Sequence, residues 1–368
     1  MDEPKKYERI KYSVSIAGFV LDVLVLIYLL LSGSVRIRDF AESITGSEWM
    51  AVLVYILVTG FIFKVVQLPL TFYSGYIVEH RFALSRQTAG DWVRDQAKGL
   101  AVGIPLGVGA IELVYYLLRA HPDSWWLYGG GAFIVFVVAI TNLAPILLLP
   151  LFFKFKPVEN QDLRDRVTRL AQRTGARLCG IFEWSLGDKT RKANAAVVGW
   201  GNTRRIIVSD TLLDNFSGEE IEVIMAHELC HHVKHHIWLG LMLQSGLTLL
   251  SFYILHRALP PLSQAFGFRS TSDIAGFPLF ALVITVLSLL VLPGVNYFSR
   301  RLETSADLYA LDVTGDALAF VSSMEKLADL NLANRTPNKV IEFIFYSHPS
   351  IEARIKLAAD RVGQIVNG

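Results

Sequence analysis

Long apolar runs alternate with polar stretches along the chain, and six of the runs are long enough to cross a bilayer as helices. The runs cover residues 14–32, 49–73, 100–118, 125–153, 237–255 and 274–297. The fourth run is too long for one straight span and contains Pro145 and Pro150, which kink or break helices. The pattern therefore predicts a mainly α membrane protein with six spans, or seven if the fourth run divides.

Two regions of the chain are polar. Residues 154–236 lie between the fourth and fifth runs, and residues 299–368 follow the sixth. The first begins with an amphipathic pattern typical of a helix and continues with short β-type runs. The helix is predicted over residues 162–174 and the runs over 180–184, 195–200 and 205–209, the last two joined as a hairpin through 199–202. The predicted division is a four-span region (1–153), a first soluble part (154–236), two spans (237–298) and a second soluble part (299–368).

Composition agrees with a membrane protein, since 52% of residues are hydrophobic and the mean hydropathy is +0.41. The formal net charge is only +2, and we expect the lipid bilayer rather than nucleic acid as a partner. The two cysteines, Cys179 and Cys230, form no disulfide framework, which suits a reducing compartment.

The distribution of lysine and arginine predicts the orientation of the spans. Three clusters precede the first span, lie between the second and third, and follow the fourth. They are Lys5, Lys6, Arg9 and Lys11; Arg81, Arg86, Arg94 and Lys98; and Lys154 with Lys156. We therefore expect the N-terminus, the C-terminus and both soluble parts on the cytoplasmic side.

Charged residues within the spans suggest an internal hydrated space. Asp22, Lys64 and Glu112 interrupt apolar runs, and a charge facing lipid is costly unless it is paired or hydrated. We expect at least Glu112 to face an internal cavity.

The candidate chemistry is concentrated in the sequence His227-Glu228-Leu229-Cys230-His231. Two histidines four apart lie on one face of a helix and can bind one metal ion, with Glu228 beside them as a general base. Ser217 and Glu220 form a capping box that predicts where this helix begins. The alternative is a surface helix with a histidine-rich polar face.

A catalytic zinc site needs a third protein ligand, and Glu303 supplies one from a later helix. Asp307, one turn further on, can accept a hydrogen bond from a zinc-bound imidazole. The alternative is an acidic helix face that pairs with Arg300 and Arg301. The proposed ligands of a single zinc ion are therefore His227, His231 and Glu303.

Two further segments are candidates for contact with substrate. Asn194 and Ala195 precede the metal helix as an exposed strand edge would, and such an edge can bind an extended peptide by main-chain hydrogen bonds. His348, next to a helix that begins at a proline, is a candidate donor to a developing oxyanion. Structural roles for both segments remain as alternatives.

Taken together, these motifs resemble those of the type I CAAX prenyl protease family, which are membrane zinc metalloproteases. The resemblance is carried, in chain order, by Gln67-Leu68-Pro69-Leu70, Tyr73-Ser74, Glu79-His80-Arg81-Phe82, Gln87-Thr88, Asp95, Lys98-Gly99-Leu100, Pro145, Phe153-Lys154-Phe155-Lys156-Pro157, Asn194-Ala195, Asp210-Thr211-Leu212-Leu213, His227-Glu228-Leu229, residues 303–307, and Ser347-His348-Pro349 to Arg354. Two departures, Cys230 in place of the family's glycine and a shorter chain than eukaryotic members, suggest a bacterial homologue.

The resemblance implies a ring of membrane helices around a hydrated chamber, capped by a zinc protease domain with a small β-sheet. It implies that the protein cleaves three residues from prenylated C-termini or degrades membrane-associated polypeptides. It also implies that Asn194 and His348 position the substrate and transition state, with support from Arg354. For a bacterial protein the expected location is the inner membrane.

The expected mechanism is peptide hydrolysis by a water that zinc activates, with Glu228 as base and then acid. One alternative is a heat-shock-type membrane quality-control protease, which has fewer spans. A more distant one is a transporter or channel with structural zinc, but a structural site needs a fourth protein ligand and transporters often contain repeated halves. The sequence shows neither feature.

Overall fold

The structure is a computed structural model that describes residues 2–176, 178–199 and 204–367, with the side chains of 364–367 excepted. The residues 200–202 predicted to form the hairpin turn lie outside the described part. Within it the helices are α1 (Glu3–Tyr28), α2 (Ser34–Ile44), α3 (Glu48–Phe72), α4 (Glu79–Arg81), α5 (Ala89–Ala120), α6 (Trp125–Leu147), α7 (Leu149–Phe152), α8 (Gln161–Arg173), α9 (Asp210–Asn215), α10 (Gly218–Val233), α11 (His236–Ala265), α12 (Phe277–Thr314), α13 (Ala317–Asn331), α14 (Lys339–Phe345) and α15 (Ile351–Asn367). The strands are β1 (Phe155–Pro157), β2 (Gly180–Trp184), β3 (Ala195–Val198) and β4 (Arg205–Ser209).

Six helical segments of the described chain are long and apolar enough to cross a membrane, which confirms the predicted number. They are Glu3–Ile44, Glu48–Arg81, Ala89–Ala120, Trp125–Leu147, His236–Ala265 and Ile274–Thr314. In the fourth, α6 ends two residues after Pro145 and is followed only by the four-residue α7. That short helix cannot form a seventh span.

The helix α12 extends from the last candidate span to the region that contains the third predicted ligand. Its 38 residues extend over about 57 Å, whereas the hydrocarbon core is about 30 Å thick, so the helix is longer than one membrane span requires. Glu303 and Asp307 lie in its C-terminal part, after the apolar run that ends at residue 297. Helices often end at a glycine in the left-handed conformation, and α12 stops at Gly315, which has a φ of 67°.

The four strands form a small mixed sheet with the order β1-β2-β4-β3. The predicted pairing of the last two strands is confirmed: β3 and β4 are antiparallel, with Ala195 opposite Val208. The three-residue β1 was not predicted because it is too short to show alternation. β3 forms one edge of the sheet and packs against α10.

The helix α10 begins where the sequence predicts, at the Ser217 capping box. The Ser217 hydroxyl accepts from the Glu220 amide at 3.3 Å, and Glu220 Oε2 accepts from the Ser217 amide at 2.7 Å. The helix is buried between β3, α12 and α13, so its side chains have fixed surroundings. Cys230 is fully buried there as a packing residue.

A cavity of about 900 Å³ lies among the membrane helices α1, α3, α5 and α12. Asp22 and Lys64 line it, together with Gly99, Gly103 and Gly107 along one face of α5. Glycines spaced by four often bring helices together, but a Cβ at any of these three would meet no atom within 4 Å. These glycines therefore widen the cavity.

Glu112, which we expected to face such a cavity, is instead buried and does not line it. Only 8% of the residue is exposed, and its Oε2 has no hydrogen-bond partner in the described part of the chain. The physical reason is its position three residues before Tyr115, which shares its helix face and packs in the apolar cluster around Trp125.

Glu79 joins the first membrane helix to the segment that precedes β3. Its Oε1 accepts from Tyr7 at 2.7 Å and from Lys11 at 3.0 Å, while its Oε2 lies 3.0 Å from Lys192 Nζ. Lys192 precedes β3 by three residues. This network therefore fixes the start of the edge strand against the membrane region.

Candidate metal centre and active site

Three predicted ligands converge on one point in the structure. His227 and His231 project from the same face of α10, and Glu303 reaches them from α12. The Nε2 atoms of the histidines lie 3.4 Å apart. Glu303 Oε2 lies 3.2 Å from His227 Nε2, and its Oε1 lies 3.5 Å from His231 Nε2.

These distances fit a bound zinc ion. Zinc at about 2.0–2.1 Å from nitrogen and oxygen donors in a tetrahedral site places those donors about 3.3 Å apart. Glu303 Oε2 is also buried and makes no hydrogen bond within the described residues, despite its proximity to His227. Two imidazoles and one carboxylate form the donor set of many catalytic zinc sites, so the arrangement suits a metal rather than a set of mutual hydrogen bonds.

Asp307 and Arg354 lie on the Nδ1 side of the His227 ring. His227 Nδ1 donates to Asp307 Oδ1 at 2.9 Å, which directs Nε2 toward the other two ligands. Arg354 Nε donates to Asp307 Oδ2 at 2.8 Å, and Asp307 is fully buried. Both residues therefore act on the metal centre through His227.

The protonation of the two histidines depends on their surroundings. Burial disfavours a charge on His227, but its contacts with Asp307 and Glu303 outweigh this and raise its pKa to about 9. Burial and the charge on His227 lower the pKa of His231 to about 4. A metal ion competes with the proton at Nε2, and His231 already has the neutral form that a ligand needs.

Glu228 lies next to the ligands in a cavity of about 190 Å³ that also contains His227 and Asn194. Burial raises the pKa of the Glu228 carboxyl group to about 7. A carboxylate with a pKa near neutrality can both take up and release a proton at physiological pH. The position and the pKa of Glu228 are those that acid–base chemistry at this site requires.

The predicted strand edge borders this cavity. Asn194 and Ala195 line it, and β3 leaves one edge without a strand partner in the described sheet. The Asn194 side chain accepts from the Ala195 amide at 2.8 Å. His232 Nε2 lies 3.1 Å from the carbonyl oxygen of Val197, which attaches the strand to the metal helix.

His348 lies beside the ligands in the loop before α15. Its Nε2 is 3.4 Å from Glu303 Oε2, and 58% of its side chain is exposed. It lines the small cavity and a second one of about 560 Å³ that extends toward α1, and Arg354 borders both. His348 therefore lies where the two cavities meet, beside Glu303.

Sequence reasoning missed two residues of this site. Asn331 accepts from the Ala193 amide at 3.0 Å and donates to the Ala193 carbonyl at 3.3 Å, so it holds the residue before Asn194. His236 Nδ1 lies 3.2 Å from His231 Nδ1. The signal for His236 was its place five residues after a ligand, but a lone asparagine at the end of α13 gave no signal.

Comparison with known proteins supports this architecture. Residues 157–362 match Peptidase family M48, and residues 1–154 match a family described as the CAAX prenyl protease N-terminal region with five membrane helices. Four helices in the described part of that range are long and apolar enough to span a membrane.

Several relatives are similar along most of the chain. An uncharacterized metalloprotease YhfN of Bacillus subtilis is 30% identical over 359 residues, which cover 96% of this chain and 84% of the relative. A CAAX prenyl protease 1 homolog of Arabidopsis thaliana is 27% identical over 80% of this chain and 70% of its own length.

The fold also matches a solved structure. The crystal structure of S. mikatae Ste24p has a TM-score of 0.87 and 24% identity, covering 96% of this chain and 88% of that one. The two family matches together cover most of the chain, and six helices of its described part are able to span a membrane. The protein therefore belongs to Peptidase family M48 and is a multi-pass membrane metalloendopeptidase.

Proposed function

We propose that the protein is a zinc-dependent endopeptidase that cleaves CAAX-type prenylated C-termini, other membrane-associated polypeptides, or both. The observation that carries the proposal is the convergence of His227, His231 and Glu303 beside Glu228 and an edge strand. The relatives named CAAX prenyl protease 1 support the prenylated substrate class.

Zinc is the metal we propose for the three ligands, because two imidazoles and one carboxylate leave a fourth position open. When bound there it would supply Lewis acidity, which polarises the scissile carbonyl and acidifies a water. Asp307 keeps the proton of His227 on Nδ1, so that Nε2 presents its lone pair.

The chain's own residues perform the remaining steps. Glu228 takes a proton from the attacking water on its carboxylate and passes it to the leaving amine. His348 donates from its imidazole to the oxyanion that develops on the substrate carbonyl. The edge strand at Asn194 and Ala195 holds the substrate backbone in an extended conformation, and Asn331 fixes that strand through Ala193.

We further propose that the soluble parts, residues 154–236 and 299–368, fold as one cytoplasmic protease domain on the spans 1–153 and 237–298. The proximity of His231 on α10 to Glu303 on α12 supports the single domain. The lysine and arginine clusters support the cytoplasmic side, and the similarity to a Bacillus subtilis relative supports a bacterial inner membrane.

The test is cleavage of two peptides by the purified protein, one farnesylated CAAX peptide and one unprenylated membrane-anchored peptide. Both are measured with a chelator and after zinc is added back. Chelator-sensitive cleavage of the farnesylated peptide alone supports a prenyl-dependent protease, and equal cleavage of both supports a broad membrane-surface protease. No cleavage of either peptide by zinc-loaded protein would overturn the proposal.

A further inference from the structure

His236 contacts a proposed metal ligand although the two residues belong to different helices. His231 lies in the last turn of α10, whereas His236 is the first residue of the membrane helix α11. Between them His235 has a φ of 58°, a left-handed conformation that turns the chain sharply. The turn places His236 Nδ1 3.2 Å from His231 Nδ1, with the two rings edge to face at 5.2 Å.

This contact determines where the protons are. A hydrogen bond between two imidazoles needs one donor and one acceptor. His231 Nε2 faces His227 and Glu303 at 3.4 and 3.5 Å, so its lone pair is needed there. With Nε2 bound to a metal, the proton of His231 is on Nδ1 and donates to Nδ1 of His236.

The Nδ1 atoms of the two proposed histidine ligands therefore have different hydrogen-bond acceptors. His227 donates to the carboxylate of Asp307, whereas His231 donates to a neutral ring. His236 is buried, with 5% exposed, so bulk water cannot easily replace it as the acceptor. Groups in this position fix the tautomer and the ring orientation of a metal-binding histidine.

We infer that His236 is a positioning residue that holds His231 in the tautomer and orientation required to bind the metal. The inference rests on the proposed function, since it assumes a metal at His227, His231 and Glu303. It also means that the first residue of a membrane-spanning helix takes part in organising the metal centre. A displacement of α11 relative to α10 would therefore weaken the bond to His231.

The test compares three substitutions of His236 that differ in the position of the acceptor atom. The Oδ1 of asparagine occupies the place of the histidine Nδ1, whereas the Oε1 of glutamine occupies the place of Nε2. Phenylalanine keeps a ring and has no acceptor. Zinc affinity is measured on the full-length protein in detergent by competition with a fluorescent chelator, and the unfolding temperature is measured without metal.

We expect His236→Phe and His236→Gln to bind zinc about 10–100-fold more weakly than the wild type, and His236→Asn to bind within a few-fold of it. The matched control is His235→Asn, because His235 is an exposed imidazole one residue away and asparagine tolerates its left-handed conformation. This control should retain wild-type affinity.

Wild-type affinity in His236→Phe would overturn the inference, as would equal losses in the asparagine and phenylalanine variants. A purely structural role would lower the metal-free unfolding temperature without this difference between asparagine and glutamine. Failure of the proposed function has another signature: the wild type and His231→Ala would bind zinc equally weakly.

Discussion

Arg354 and Asp307 form a buried ion pair directly behind the metal centre, with Arg354 Nε donating to Asp307 Oδ2 at 2.8 Å. Asp307 is fully buried, and its other oxygen accepts from His227 at 2.9 Å. The carboxylate is thus shared between a structural cation and a proposed metal ligand. The pair joins α15 to α12 and fixes the acceptor that orients His227.

Removing the cation should be costly because Asp307 would remain fully buried and would keep only its hydrogen bond with His227. We expect Arg354→Met to lower the free energy of unfolding by about 3–5 kcal/mol. The measurement is unfolding in the presence of a chelator, which excludes metal binding from the result. The double variant Asp307→Asn with Arg354→Met should be more stable than Arg354→Met alone, and a further loss of stability would contradict this account.

Glu228 should be needed for turnover and not for metal binding. Glu228→Gln keeps the size of the side chain but cannot accept a proton, so kcat should fall at least about 100-fold. Zinc content, measured by elemental analysis, should stay equal to that of the wild type. Glu303→Gln is the contrasting variant, because it should lose metal as well as activity. Wild-type turnover by Glu228→Gln would exclude Glu228 as the general base.

The arrangement of spans and the proposed ligands could be predicted because most of the signal is local in sequence. Apolar runs give the membrane helices, and the spacing of His227 and His231 places both on one helix face. The third ligand was harder to predict, since Glu303 is distant from both histidines along the chain. It meets them only through the packing of α12 on α10.

The contacts around the ligands could not be predicted because they depend on how separate elements pack. The bond between His236 and His231 depends on a left-handed residue at position 235, and non-glycine residues adopt that conformation infrequently. The two hydrogen bonds between Asn331 and Ala193 depend on how α13 packs beside the sheet. Glu112 was expected to face water because it is charged, but the orientation of α5 buries it.

Glu220 should make the stability of the soluble part depend on pH. Burial disfavours its charge, but hydrogen bonds from Lys326 at 2.7 Å and Ser322 at 2.6 Å outweigh this and hold its pKa below the ordinary value. An acidic group whose pKa is lower in the folded state contributes its full stabilisation of the fold at pH values above its unfolded pKa, which is about 4.3 for glutamate. That contribution is lost as the pH falls through the folded pKa.

We therefore expect Glu220→Gln to be less stable than the wild type at neutral pH and to show a shallower loss of stability on acidification. Thermal unfolding between about pH 3 and pH 7 measures both effects, since the unfolded carboxyl titrates near 4.3. Glu325→Gln is the control, because it removes the same charge from an exposed position on α13. Parallel pH profiles for the wild type and Glu220→Gln would contradict the prediction.

The cavity among the membrane helices should contain water. Asp22 and Lys64 line it, and charged groups at membrane depth need a partner or hydration. Lys64 donates to Gln96 at 3.0 Å, which satisfies one of its three protons. A cysteine at Gly103 should therefore react with a charged, membrane-impermeant maleimide, since a Cβ there meets no neighbouring atom within 4 Å.

The comparison needs a background without the exposed Cys179, so Cys179→Ser is included in every variant, while Cys230 is fully buried and can remain. Val135→Cys is the matched control, because Val135 is 69% exposed in the middle of the candidate span α6, where we expect lipid to cover the thiol and keep it unreactive. Glu112→Cys should also react slowly, since that position is buried. Equally slow labelling of Gly103→Cys and Val135→Cys would mean that water does not reach the cavity, and Asp22 and Lys64 would then have to be neutralised by each other or by their neighbours.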